Sequence, residues 1–249
     1  MSRVIYDFSN ENFVVTGASS GMGRQVVVEL VAAGANVLAI ARNEARLQEL
    51  QYQYPNNISV VALDVCDSEK MENAIKNFVG KNGKLHGGVH AAGINNFTPL
   101  KTYDGDLANK IMDTSFWAGV EFTRIVTKAK YANKGISVVL FSSVCAQSDE
   151  KGMFAYASAK AAVNACVKSI AKEINTKGHR INSIMPGWVE NSTMTTSVDG
   201  MIDQNSLIEK HLLGLAKPDN VTGMVLFLLS DRGSWITGSN IAVDGGYLA

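Results

Sequence analysis

A short apolar run, Phe13-Val14-Val15, leads directly into Thr16-Gly17-Ala18-Ser19-Ser20-Gly21-Met22-Gly23. A helix-period pattern of Val26, Val27, Leu30 and Val31 follows, stops at Gly34, and gives way to a second apolar run from Asn36 to Ala41. Short β-branched runs read as buried strands, and apolar residues three and four apart read as one face of a helix. Strand, glycine loop, helix, strand is a βαβ unit, and a helical crossover obliges its two strands to lie parallel. No other stretch restricts the chain as much. A parallel sheet must be covered on both faces, so the rest of the sequence has to keep alternating.

The alternation continues to the end. Leu47 and Leu50 mark a helix before a strand at Ile58 to Leu63, and Met71, Ile75 and Phe78 mark another before a strand near Gly88 to Ala91. A longer helical stretch from Ile111 to about Tyr131 precedes a strand at Ile136 to Phe141. The helix containing Tyr156 runs to about Asn175 and leads to a strand at Arg180 to Ile184. A helix over Asn220 to Leu229 precedes a last strand, Asn240 to Val243. This pattern predicts an α/β fold with a doubly wound parallel sheet of about seven strands and helices on both faces. In such sheets ligands sit beyond the carboxyl ends of the strands. The glycine loop, Gly93, Ser143 and Pro186-Gly187 each follow a strand, so they belong to one edge.

Composition narrows the partners. A chain of 249 residues, 46% hydrophobic and 18% charged, fits a single domain over residues 1–249 with a sizeable core. With 23 basic and 23 acidic residues its net charge is zero, which offers nucleic acid or anionic lipid no long-range attraction. Cys66, Cys145 and Cys166 are scattered and odd in number. They suggest neither a metal site nor a disulfide framework, and point to a reduced, cytoplasmic setting. The first residues lack a secretory pattern, and apolar runs such as Val225 to Leu229 fall far short of the about 20 residues of a membrane helix.

Three patterns carry chemistry. Glycines at 17, 21 and 23 allow a tight turn and let a pyrophosphate reach free amides at a helix N-terminus. The spacing is not G-x-G-x-x-G, but the strand–loop–helix setting favours nucleotide binding. At the end of the second strand stands Ala41 and then Arg42, with no carboxylate for a ribose 2′-hydroxyl. A guanidinium there suits a 2′-phosphate and predicts NADP(H) over NAD(H), which remains possible. Finally, Tyr156 and Lys160 are four residues apart and share a helix face. A phenol ionises near pH 10, and an adjacent cation favours its phenolate. A serine hydroxyl on a neighbouring strand end completes the set. No G-x-S-x-G elbow suggests a serine hydrolase.

Together these pieces resemble the short-chain dehydrogenase/reductase family, in its single-domain Rossmann branch that includes 3-oxoacyl-carrier-protein reductases and related carbonyl reductases. The matching motifs are Thr16 to Gly23, Leu63-Asp64-Val65, Ala91-Ala92-Gly93, Phe141-Ser142-Ser143, Tyr156-Ala157-Ser158-Ala159-Lys160 and Pro186-Gly187. The ending, Ile236-Thr237-Gly238-Ser239 to Asp244-Gly245-Gly246, matches as well. They fall in the family's order over essentially the whole chain.

The resemblance implies that Tyr156 is the general acid or base, that Lys160 holds the nicotinamide ribose and lowers the phenol's pKa, and that Ser143 orients the substrate carbonyl. Ser143 lies thirteen residues before Tyr156, the family spacing. Gly17, Ser19, Ser20, Gly21, Met22 and Gly23 would hold the cofactor's phosphates. Asp64 and Val65 would flank adenine, and Asp64 is expected to cap the next helix as well. Ala91, Ala92 and Gly93 would line the cofactor, as would Pro186 and Gly187, with the Val189 backbone on the nicotinamide amide.

Two departures stand out. His90-Ala91 occupies the place of a paired asparagine, and Ser115 stands where an asparagine would support a proton relay. A serine can still bond a water but has fewer donors. His90 is expected to hydrogen-bond structurally near its strand end. The stretch Trp188 to Gly214 has no family motif. Its Met194, Met201, Ile202, Leu207, Ile208, Leu212 and Leu213 suggest a helical substrate lid, in which His211 is expected to be solvated.

The small residues Ala157, Ala161 and Ala165 permit close packing of the Tyr156 helix, and the resemblance implies a dimer or homotetramer. The leading reading is an NADP(H)-dependent oxidoreductase on a carbonyl/secondary-alcohol pair. The alternative is a dinucleotide-binding sensor or structural protein without turnover. An acyl thioester, a sugar or polyol, and a steroid or other apolar alcohol all stay open as substrates.

Overall fold

In the computed structural model, which describes residues 4–148, 151–190 and 208–249, the first strand, β1 (Asn12–Thr16), is buried along its whole length. Its side chains divide between two cores. Phe13 and Val15 pack with Val26 and Leu30 of α1 (Gly21–Ala32), Leu47 of α2 (Glu44–Gln53) and Val225 of α7 (Pro218–Leu229). Val14 packs on the opposite side, with Ile75 of α3 (Ser68–Asn82), Phe122 of α5 (Ala118–Val126) and Val167 of α6 (Phe154–Ile174). Strand side chains alternate between faces, so an unbroken apolar run is what a two-sided sheet demands. Each such side chain, fully buried, contributes roughly 1.5–3 kcal/mol.

The other strands are β2 (Asn36–Ala41), β3 (Ile58–Ala62), β4 (Leu85–His90), β5 (Ala132–Phe141), β6 (Arg180–Pro186) and β7 (Asn240–Val243). All pair in parallel in the order β3-β2-β1-β4-β5-β6-β7. Val15 of β1 is registered against Ala39 of β2 on one side and Val89 of β4 on the other. The direction of winding reverses between β1 and β4, and a crevice opens there at the carboxyl edge.

Several boundaries differ from the sequence reading for physical reasons. β4 begins at Leu85 although Gly87 and Gly88 argue against a strand. A Cβ at Gly87 would lie 2.6 Å from Phe13, and one at Gly88 2.9 Å from Phe122. The glycines make room for an aromatic ring on each face. The long helix begins as α4 (Gly105–Met112), because Asp104 accepts from the amides of Asp106 and Leu107 and so caps it. It ends at Val126 rather than Tyr131. Between α4 and α5 the turn Asp113–Trp117 widens into π geometry. β5 starts four residues earlier than Ile136, its polar Asn133-Lys134-Gly135 start being half-buried or exposed. The last helix starts at Pro218, which occupies its first turn at no cost in hydrogen bonds.

Candidate active site

A cavity of about 370 Å³ lies at the carboxyl edge, over the switch between β1 and β4. At one end it is built from backbone. Gly17 has φ 69°, and a Cβ there would lie 2.7 Å from the carbonyl carbon of Ala91 and the amide of Ala92. A Cβ at Gly23 would meet the Gly17 carbonyl oxygen. Only glycine lets the loop lie this close to the exit of β4. Ser19, Ser20, Gly21 and Met22 line the same end, as do Ala91, Ala92 and Gly93. The first turn of α1 holds no acidic residue, and its leading amides have no acceptor within the helix. An anion fits there.

Past β2 the wall is basic. Asn43 accepts from the Arg46 amide at 3.0 Å and caps α2, which sets the turn carrying Arg42. Arg42 and Arg46 both line the cavity. Arg42 is exposed and has no ion pair or side-chain hydrogen bond to any described residue. Asp64 and Val65 line the wall beside them. Asp64 does not cap α3. Its Oδ1 accepts from the Cys66 amide at 3.0 Å in a local turn, while Asp67 accepts from Lys70 and supplies the cap.

The other end is built from side chains. Ser142 Oγ donates to the Lys160 carbonyl at 2.9 Å, and Lys160 Nζ donates to the Phe141 carbonyl at 2.7 Å. The end of β5 and the start of α6 are thus stitched together twice. Ser143 follows in extended backbone and accepts from the Cys145 amide at 3.2 Å. Tyr156 and Lys160 are 6% and 2% exposed, and the ammonium lies 5.6 Å from the centre of the phenol ring. Burial pushes the Lys160 amine down to about 8, against a smaller opposing pull from Cys145. An ammonium has three donors. One goes to Phe141, and no other described residue takes the remaining two. Ser143, Tyr156 and Lys160 all line the cavity, together with Pro186, Gly187 and Val189 from the exit of β6.

Ser115 is the one predicted site residue that the structure keeps off the cavity wall. It sits in the π turn, fully buried, and its Oγ accepts from the Ile94 amide at 3.3 Å. Its neighbour Thr114 reaches the wall instead. The Thr114 carbonyl lies 3.2 Å from His90 Nε2, and Thr16 Oγ1 lies 2.9 Å from His90 Nδ1. A carbonyl can only accept, so the proton is on Nε2 and Nδ1 accepts from the threonine hydroxyl. Burial, helped by the charge of Lys160, pushes His90 down to about 3 and keeps it neutral. His90 is therefore the structural hydrogen bonder expected at the strand end.

His211 departs from expectation. It is 4% exposed rather than solvated, and its Nε2 accepts from the Trp188 amide at 3.0 Å. It lines the cavity with Trp188, which opens the expected lid stretch, and with Tyr247, Asn95, Cys145 and Met153, which sequence reasoning did not assign to the site. Cys145 and Met153 were within reach, being close in sequence to Ser143 and Tyr156. Nothing local marked Tyr247. Residues 208–210 are helical. Met194, Met201, Ile202 and Leu207 of the expected lid lie outside the described residues. No helix among the described residues is long and apolar enough to cross a membrane, and none of their His, Cys, Asp and Glu side chains form a metal-holding group of three.

Residues 17–248 match the family model described as enoyl-(acyl carrier protein) reductase. The chain is 30% identical to the 3-oxoacyl-(acyl-carrier-protein) reductase FabG of Rickettsia conorii over 244 residues, covering 97% of this chain and 98% of that one. It is 31% identical to the L-xylulose reductase of Mus musculus over 239 residues, covering 95% and 96%. Among solved structures, a short-chain type dehydrogenase/reductase from Mycobacterium ulcerans superposes with TM-score 0.88 at 28% identity, over 97% of this chain and 91% of that one. A glucose/ribitol dehydrogenase from Brucella melitensis gives TM-score 0.90 at 22% identity, over 98% and 99%, a likeness of fold.

Proposed function

Because the chain belongs to the short-chain dehydrogenase/reductase family, we propose that it interconverts a ketone and a secondary alcohol with NADP(H), using Tyr156 as general acid in reduction and base in oxidation. The observation that carries this reading is Lys160. It is a buried ammonium beside a phenol, with two donors that no described residue takes. A structural lysine would have its donors satisfied or its head in water.

The dinucleotide fits the wall residue by residue. Its pyrophosphate would lie on the glycine loop and the first amides of α1, and its 2′-phosphate between Arg42 and Arg46. Asp64 and Val65 would flank the adenine. When bound, the nicotinamide supplies or accepts the hydride. The chain's own residues do the rest. Ser143 Oγ hydrogen-bonds the substrate oxygen and holds it against the Tyr156 hydroxyl. Tyr156 gives that oxygen a proton as negative charge builds on it. Lys160 stabilises the phenolate left behind and ties the ribose with its remaining donors. Ser115 enters only through Ile94, whose amide it holds near the Asn95 wall.

The relatives named above are reductases of a 3-oxoacyl thioester and of a keto sugar, and the chemistry common to both is a ketone reduced to an alcohol. Oligomerisation through α5 and α6 belongs to the same reading. Trp117, 54% exposed, and Phe154, 38% exposed, are the apolar rings there that a second subunit would cover. Cys66, Cys145 and Cys166 form no disulfide among the described residues, which suits a reducing cytoplasm.

The test is Tyr156→Phe, assayed by NADPH oxidation over acyl-thioester, sugar and apolar ketones. Turnover should drop by about a thousandfold while NADPH still binds. Near-normal turnover would sink the mechanism. Tight NADPH binding by the unmodified protein without turnover of any ketone or alcohol would point to a sensor.

A further inference from the structure

We propose that His211 is a positioning residue: its Nε2 holds the Trp188 amide, and through it the turn from Gly187 to Val189 that walls the reacting end of the cavity. The proposal rests on the reading that this cavity takes a nicotinamide dinucleotide. The contact is 3.0 Å long and joins residues 23 apart in sequence. A backbone N–H can only donate, so Nε2 is the acceptor and the proton of the imidazole is on Nδ1.

The ring is clamped rather than merely present. It packs against Tyr247 at a tilt of 38°, 4.8 Å between ring centres. A Cβ on Gly187 would fall 2.8 Å from His211 Nε2 and 2.9 Å from Asp244 Cα, so the turn passes between the imidazole and the C-terminal loop with no space to spare. That loop is itself rigid, since both Asp244 carboxylate oxygens accept backbone amides, those of Gly246 and Leu248. The Gly187 amide reaches the Val243 carbonyl, the Glu190 amide the Ala216 carbonyl, and the Ala216 amide the Trp188 carbonyl. Neighbouring groups of the turn are thus held by backbone, while the Trp188 amide is held by a side chain. His211 follows immediately on the helical residues 208–210, so it ties the wall to the end of that helical stretch.

The consequence is specific. Trp188 and Val189 both line the cavity. Loss of the acceptor leaves a part-buried amide unsatisfied and lets the wall shift, which weakens binding at the nicotinamide end before it affects proton transfer at Tyr156. His211→Met keeps the bulk and removes the acceptor. His211→Gln keeps an acceptor oxygen at similar reach.

The experiment measures NADPH dissociation constants by fluorescence and KM against kcat for both variants, with melting temperature alongside. His211→Met should weaken NADPH about tenfold, with a smaller change in kcat, and His211→Gln should recover most of that loss. Wild-type affinity in His211→Met, or equal loss in both variants, would overturn the proposal. Hydrogen exchange on the unmodified protein tests the bond without any variant. A protected Trp188 amide supports it, and an amide exchanging as fast as an open loop overturns it. A protected amide in a protein that binds no dinucleotide would sink the functional reading, and the cofactor half of this proposal with it.

Discussion

Lys160 and Arg180 are both buried cations, and they sit at opposite edges of the same sheet. Lys160 reaches the carbonyl at the carboxyl end of β5, and Arg180 opens β6 at the amino edge. Arg180 donates to four carbonyls: Gly233 and Leu228 at 2.8 Å, Ile236 at 3.3 Å and Ser230 at 3.4 Å. They lie at the end of α7 and in the turns just past it, and Leu228 is one of the last carbonyls, which a helix cannot satisfy by itself. The arginine is therefore a fastener. Lys160 has one acceptor from described residues and two donors to offer. Burial pushes both groups toward the neutral form, yet only the arginine is compensated by a set of carbonyls. A buried charge given many fixed partners is a structural element. A buried charge left incomplete is a candidate ligand contact.

The largest expected effect separates the two directly. Lys160→Met should cut turnover by about a hundredfold to ten-thousandfold while leaving the melting temperature unchanged or raised, because an apolar chain of similar length replaces a poorly compensated charge. A large fall in melting temperature would erase the distinction. Arg180→Met should do the reverse. It removes the donors that serve the carbonyls at the end of α7 and should cost on the order of 3–5 kcal/mol, or roughly 10 °C in melting temperature, while the folded fraction keeps its kcat.

Arg42 ranks next. Arg42→Ala should reduce kcat/KM for NADPH by about tenfold to a hundredfold and leave NADH nearly untouched. A protein that prefers NADH from the outset refutes the role given to this residue. The smallest effect is a pH dependence. Lys160 has a folded pKa of about 8 against an unfolded value of 10.5. Reductive kcat/KM should therefore decline as pH rises through about 8, where the ammonium is lost. Between 8 and 10.5 the unfolded chain binds the extra proton, so this group's contribution to stability rises with pH over that window. A kcat/KM profile flat through pH 9 breaks the link between the charge and turnover.

Much of this was legible without coordinates wherever the signal is local. The glycine loop declares itself because a tight turn before a helix needs specific residues at specific places. The spacing of Ser143, Tyr156 and Lys160 does the same for the other end of the cavity. β4 was only half visible, because its glycines are explained by Phe13 and Phe122, which lie far away in sequence. The start of α4 was missed although Asp104 is a recognisable cap. His211 was misplaced for a different reason: a histidine among polar neighbours looks solvated until the C-terminal loop folds over it.

The sequence by itself determined the parallel sheet, the edge that carries the cavity and that Ser143, Tyr156 and Lys160 meet on its wall. Those follow from hydrophobic period, turn chemistry and short spacings, all of which act within a few residues. The tertiary structure alone decided which donors of Lys160 are left over, that Ser115 is taken by Ile94, and that His211 and Tyr247 join the wall. Each depends on groups brought together from distant parts of the chain, where hydrogen-bond partners and burial are set by packing.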